Sequence, residues 1–150
     1  MLSLIRDLYN EYKVINERVR NLNRGGCGVF AEKLYRLLID LRVDAKIFIM
    51  TENAEGMRKR LTENEPYAAC IVHVLIMVEG KLIDSEGIWD NAKAVPLSDW
   101  GSELYETDLA TLVSLNSDGK NTWNPCFDRE QIPLVEQILK EAANKFAYIN

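Results

Sequence analysis

A cysteine set between glycines, the chain's single histidine and the carboxylates that follow it are the residues here that could do chemistry. Residues 24–30 read RGGCGVF and run into AEKLYRLLIDL, so Cys27 stands where a helix begins. The first turn of a helix offers unsatisfied N–H groups and the positive end of the macrodipole, and both favour a thiolate. Gly26 and Gly28 let a substrate backbone approach closely and leave the N–H groups of Cys27 and Gly28 free to bind an oxyanion. His73 lies inside the apolar run CIVHVLIMV, where packing alone would favour another aliphatic residue.

The carboxylates follow from strand parity. AACIVHVLIMV, then Glu79-Gly80, then KLIDSEGIW reads as two antiparallel strands joined by a tight turn. A two-residue turn pairs Val78 with Lys81, Leu75 with Asp84 and His73 with Glu86. Side chains alternate between faces, so His73, Leu75, Asp84 and Glu86 share one. Either Asp84 or Glu86 can then approach the imidazole and fix its tautomer, leaving the other ring nitrogen to take a proton from the Cys27 thiol. Trp89, close behind Asp84 in sequence, is a candidate wall for the cleft.

A competing use of the same residues is a zinc site. Cys70 and His73 have C-x-x-H spacing, and Cys27 and Cys126 could complete four ligands. In an extended strand positions 70 and 73 face opposite sides, so no metal is expected, and Cys70 reads as a buried apolar filler.

Several elements must position these groups. Leu4, Leu8, Tyr12, Ile15, Val19 and Leu22 predict an amphipathic helix over 3–22, ended by NLNRGG. A second helix is expected from Cys27 to Leu41, a strand over 45–50 and a short helix over 54–62. Residues 90–127 show little pattern, and 108–115 fit a strand or a short helix. Asp128 predicts a helix cap with Gln131 as its partner, and Leu134, Ile138, Leu139, Ala142 and Phe146 form the stripe of that helix, to about residue 147. The order predicts a single α+β domain over 1–150 with a mainly antiparallel sheet.

Composition narrows the function classes. The 150 residues are 47% hydrophobic and carry a net charge of −5, which disfavours disorder and broad phosphate neutralisation of a nucleic acid. No stretch reads as a signal peptide or membrane span, and the three cysteines lack framework spacing, so a cytoplasmic protein with free thiols is expected.

A cysteine on the first turn of a helix, a histidine on a strand and an aspartate on the next strand resemble the papain-like cysteine enzymes. The similarity is closest to their transglutaminase-like branch, which includes the arylamine N-acetyltransferases. Arg24-Gly25-Gly26-Cys27 is similar to the Arg-Gly-Gly-x-Cys motif of the acetyltransferases without its spacer. His73-Val74 with Ile83-Asp84 is similar to the His-Val and Val-Asp stretch of the same branch. The resemblance covers about residues 21–89. It implies a papain-like or transglutaminase-like core, with Cys27 as nucleophile, His73 as base and Asp84 as the residue that orients it. The chain has no room for a coenzyme A domain, Gly26 replaces a common aromatic, and Asn21 or Asn23 would have to supply any side-chain oxyanion donor. The expectation is a cofactor-free thiol hydrolase or acyltransferase acting on a protein, a peptide or a small acyl substrate, with peptide or isopeptide hydrolysis first. The alternative is a non-catalytic module of the same fold that binds a protein partner.

Overall fold

The computed structural model describes residues 2–117 and 127–145. The expectations placed on Cys126 and Phe146 lie outside them. The N-terminal stripe forms two helices, α1 (Leu2–Tyr12) and α2 (Ile15–Arg18), instead of the expected continuous one. The apolar positions were nonetheless correctly spaced, since Leu8, Tyr12, Ile15, Val19 and Leu22 are all buried. The break falls at Lys13-Val14, and Val14 is turned outward. Helix α3 (Cys27–Asp40) begins at the expected residue, as do strand β1 (Lys46–Thr51), within one residue, and α4 (Ala54–Thr62). Asn53 caps α4 by accepting a hydrogen bond from the N–H of Gly56 at 2.9 Å.

The hairpin joins β2 (Ile71–Val78) to β3 (Lys81–Ile83) in the expected register, Val78 opposite Lys81. Glu79 and Gly80 both have positive φ, 49° and 80°, the two-residue turn whose twist matches the flanking strands. The second strand does not run on to Trp89. It stops at Ile83, residues 84–87 turn, and β4 (Ile88–Trp89) comes back against β3. With β5 (Glu103–Thr107) the sheet has the order β4-β3-β2-β1-β5, antiparallel throughout. The chain is therefore α+β with an open five-stranded sheet. The ambiguous segment near 108–115 is a helix, α5 (Leu109–Ser117).

The larger core lies between one face of the sheet (Ile47, Ile49, Val74, Ile76, Val78, Ile83) and helices α1, α3, α5 and α6 (Ile132–Asn144). The smaller one, Met50, Leu75 and Leu82 under Ala92 and Val95, covers the opposite face with the segment after β4. Asp128 caps a single 3₁₀ turn before α6, accepting from Glu130 N, and Gln131 donates to Asp128 O at 3.4 Å rather than accepting from Asp128 N, so the reciprocal capping pair does not form. The Gln131 side chain also bonds both backbone groups of Arg20, at 2.8 and 3.1 Å, tying α6 to the chain after α2. Among the described residues no helix is long and apolar enough to cross a membrane.

Candidate active site

Asp84 is built into a turn by its own side chain. Its Oδ1 accepts the N–H groups of Glu86 and Gly87 at 2.8 and 2.9 Å, the Asx geometry in which a carboxylate replaces a backbone acceptor. Asp84 N in turn donates to Gly87 O at 3.1 Å. That leaves Oδ2 for His73 Nε2, 2.9 Å away, with both side chains almost wholly buried. The carboxylate accepts, so Nε2 carries hydrogen. Glu86, expected as the other possible partner of the imidazole, does not take that role, because the turn carries it out to the exposed surface.

Three side chains of the N-terminal helices hold this turn from behind. Tyr12 Oη donates to Asp84 O at 2.9 Å, Asn16 Nδ2 to Ser85 O at 2.5 Å, and Tyr9 Oη to Glu86 O at 2.6 Å. Burial first, then the Asp84 charge, raise the Tyr12 pKa well above its ordinary value, so it remains a donor. Tyr12 also meets Phe30 of α3 edge-on, with ring centroids 5.4 Å apart. The helix that carries Cys27 and the turn that carries Asp84 thus share one support. Sequence periodicity marked Tyr12 only as core, and Tyr9, Asn16 and Ser85 were not singled out; the turn signature Asp-Ser-Glu-Gly was the available clue.

His73 is set by a bulge. It pairs with Met50, whereas the next β1 residue, Thr51, pairs with Ile71, so Val72 is the extra residue. Alternation puts His73 on the face of Met50 and Leu75, while the body of α3 packs on the other face. Cys27, the first residue of α3, is close enough to act on the imidazole. Burial pushes the imidazole toward its neutral form, but the hydrogen bond to Asp84, and after it the Cys27 sulfur, outweigh burial and raise the His73 pKa from 6.5 to about 10. Nδ1 is buried and has no partner that satisfies hydrogen-bond geometry. Cys27 is thus near enough to act on the charge of the ring without a formed bond, the loose contact from which a nucleophile and base tighten on substrate binding.

At Cys27 no side chain caps the helix; Gly26 is the N-cap, and Phe30 N makes the first return bond, to Gly26 O, at 2.9 Å. The N–H groups of Cys27 and Gly28 therefore lie in the unsatisfied first turn. A Cβ on Gly26 would come within 2.7 Å of the Phe127 ring and 2.8 Å of Leu22 O, so close packing alone demands glycine there. Gly28 O accepts from Asn116 Nδ2 at 3.0 Å, which fastens the start of α3 to α5.

Beside the imidazole is a cavity of about 150 Å³ lined by Asn23, Arg24, His73, Asp84, Glu86, Val95, Pro96 and Leu97. Asn23 Oδ1 accepts from the Ser85 hydroxyl at 3.1 Å, which leaves its amide hydrogens for the cavity. Cys27 is only 5% exposed and stands behind this lining rather than in it. Compared with protein-family models, with curated proteins and with solved structures, the chain matches none.

Trp89 does not wall the cavity. Its indole lies against Gly87 and the smaller core, because the turn at 84–87 folds β4 back on β3. The apolar wall is Val95-Pro96-Leu97, from the stretch that showed little pattern. Cys70 is exposed rather than buried, just ahead of β2, with its N–H bonded to Glu52 Oε1 at 2.7 Å. Among the described residues no group of histidine, cysteine and carboxylate side chains could hold a metal.

Proposed function

We propose that this chain is a thiol-dependent acyl-transfer enzyme with a papain-like or transglutaminase-like core, in which Cys27 attacks an amide, ester or thioester carbonyl. The observation that carries this reading is the buried His73–Asp84 pair at 2.9 Å, whose free Nδ1 is aimed toward a cysteine at an uncapped helix N-terminus. An imidazole with a pKa of about 10 holds its proton at neutral pH. It then acts first as the acid: Cys27 attacks as thiolate, and His73 gives its proton to the leaving group. In the second half His73 takes a proton from water or an acceptor amine, which displaces the thiol. Asp84 holds the ring and stabilises its charge. The N–H groups of Cys27 and Gly28, with the Asn23 amide, face the oxyanion.

A small activated ester such as phenyl acetate tests this. Turnover should vanish in Cys27→Ser and fall about a hundredfold or more in His73→Gln, the usual scale for loss of a positioned acid–base group. Turnover retained in Cys27→Ser would refute the proposal. The burial of Cys27 favours a second reading, a non-catalytic module of the same fold that binds a protein through the cavity. In that case iodoacetamide should fail to label Cys27 in the folded protein.

A further inference from the structure

In the folded protein the candidate site is shut. Cys27, His73 and Asp84 are 5%, 1% and 3% exposed. The cavity beside the imidazole holds only about 150 Å³, and Cys27 is not among its lining residues. A carbonyl cannot meet the Cys27 sulfur until something moves. What covers the His73 face of the sheet is the stretch 91–101 between β4 and β5, which supplies Val95, Pro96 and Leu97 to the cavity wall.

This stretch is hydrogen-bonded within itself. It forms two short 3₁₀ turns, Ala92–Ala94 and Ser98–Trp100. Asn91 Oδ1 accepts from Ala94 N at 3.1 Å, and the Ser98 hydroxyl donates to Lys93 O at 2.9 Å. Its backbone bonds, from that of Ala94 N to Asn91 O through that of Gly101 N to Ser98 O, also close within it. Among the described residues none of its hydrogen bonds reaches the sheet. Only Ala92 and Val95 are buried, on Met50, Leu75 and Leu82, with Leu97 half-buried beside them. The two ends are tethered. Just before the stretch, Asp90 pairs with Lys81 at 2.5 Å. At its far end Gly101 has φ 155° and lies so close to β1 that a Cβ would run into Glu52 N and the carbonyl carbon of Thr51. A segment that buries few side chains and keeps its hydrogen bonds to itself can separate without breaking the sheet. Such units open at a free energy well below that of global unfolding.

We infer that residues 91–101 are a lid that must lift off the sheet before substrate meets Cys27 and His73, with Val95 as its latch. This inference rests on the thiol-enzyme reading of the site. The lid lifts without disturbing the His73–Asp84 pair, because Tyr9, Tyr12 and Asn16 hold the Asp84 turn from the helical side. Closure returns the apolar wall to the imidazole and excludes water from it.

Iodoacetamide labelling of Cys27 in the full chain, followed at its own peptide by mass spectrometry, reads the opening. Val95→Ala removes two methylene-sized groups from the latch and should speed labelling about tenfold. Gly101→Ala forces the pinned end away from β1 and should speed it as well. Val43→Ala makes the same truncation in the larger core, beyond the far end of α3 from Cys27, and should leave the rate within about twofold. The wild-type rate should also rise with urea far less steeply than global unfolding does, because lifting a lid exposes little surface. If the slopes are equal, or if all three variants speed labelling only in step with their loss of stability in urea, Cys27 is reached by global unfolding and the lid is overturned. Phenyl acetate separates this failure from that of the enzyme reading. Turnover lost in Cys27→Ser, with labelling indifferent to Val95, overturns the lid alone. Labelling that follows Val95, with turnover retained in Cys27→Ser, overturns the enzyme reading and with it the lid's role in admitting substrate.

Discussion

Replacing Asp84 by Asn should reverse the way stability depends on pH. The side chain keeps its shape, so its carbonyl oxygen can still accept the N–H groups of Glu86 and Gly87 and preserve the turn. The amide NH₂ then faces His73 Nε2 at a place where the carboxylate accepted at 2.9 Å. Two donors cannot meet, so Nε2 must give up its hydrogen and the imidazole becomes neutral, protonated on Nδ1. In the wild type the folded-state pKa is raised from 6.5 to about 10. The folded protein therefore binds the proton more tightly than the unfolded chain. That stability is fully present below pH 6.5 and is lost as pH rises toward 10. At about 1.4 kcal/mol per tenfold change in proton affinity, the loss is several kcal/mol, with about 5 as its ceiling. In Asp84→Asn burial prevails, the folded-state pKa lies below its ordinary value, and stability falls instead as pH drops below that value. At pH 7 the variant should be less stable by about 2–4 kcal/mol. Urea unfolding followed by tryptophan fluorescence at pH 5.5, 7 and 9 would measure this. The gap between the two proteins should narrow as pH rises. A gap that stays constant over that range would refute the buried, charged His73–Asp84 pair.

Gly26→Ala should cost about 1–3 kcal/mol, because its Cβ meets the Phe127 ring and a backbone carbonyl; an unchanged urea midpoint would contradict the packing. Tyr12→Phe removes a buried donor to Asp84 O and should cost about 1–2 kcal/mol. Its wider amide-exchange signature should be faster exchange at Glu86 and Gly87, whose N–H groups rest on the Asp84 carboxylate. At Glu32 burial pushes the pKa up, but hydrogen bonds from Asn116 and Lys33 outweigh it and lower the value below 4.5. The stability this gives is present above that ordinary value and lost as pH falls below it, so Glu32→Gln should flatten the acid side of the unfolding profile.

Much of this architecture was local enough to read from residue order. Helix α3 starts at Cys27 because two glycines end one pattern and an apolar stripe opens the next. The hairpin register followed from Glu79-Gly80, which supply the two positive-φ positions the turn needs. The break between α1 and α2 was not legible, since the apolar spacing continues across it and only the exposure of Val14 marks the turn. The strand reading of 81–89 failed for a related reason. Alternation persists through Asp84, but the Asp84 carboxylate bonds the backbone two and three residues on, and this local competitor ends the ladder.

The sequence by itself determined the element types around the site and the parity that puts His73 and Asp84 on one face, because helix and strand periods depend on near neighbours. Tertiary structure alone decided which carboxylate meets the imidazole and what lines the cavity. It also placed Cys27 beside His73 yet behind the lining. Those outcomes depend on the bulge at Val72 against β1, the clamp of Tyr9, Tyr12 and Asn16 on the turn at 84–87, and the packing of 95–97, all contacts between residues far apart in the chain. Their strength depends on burial, and only the assembled fold supplies it.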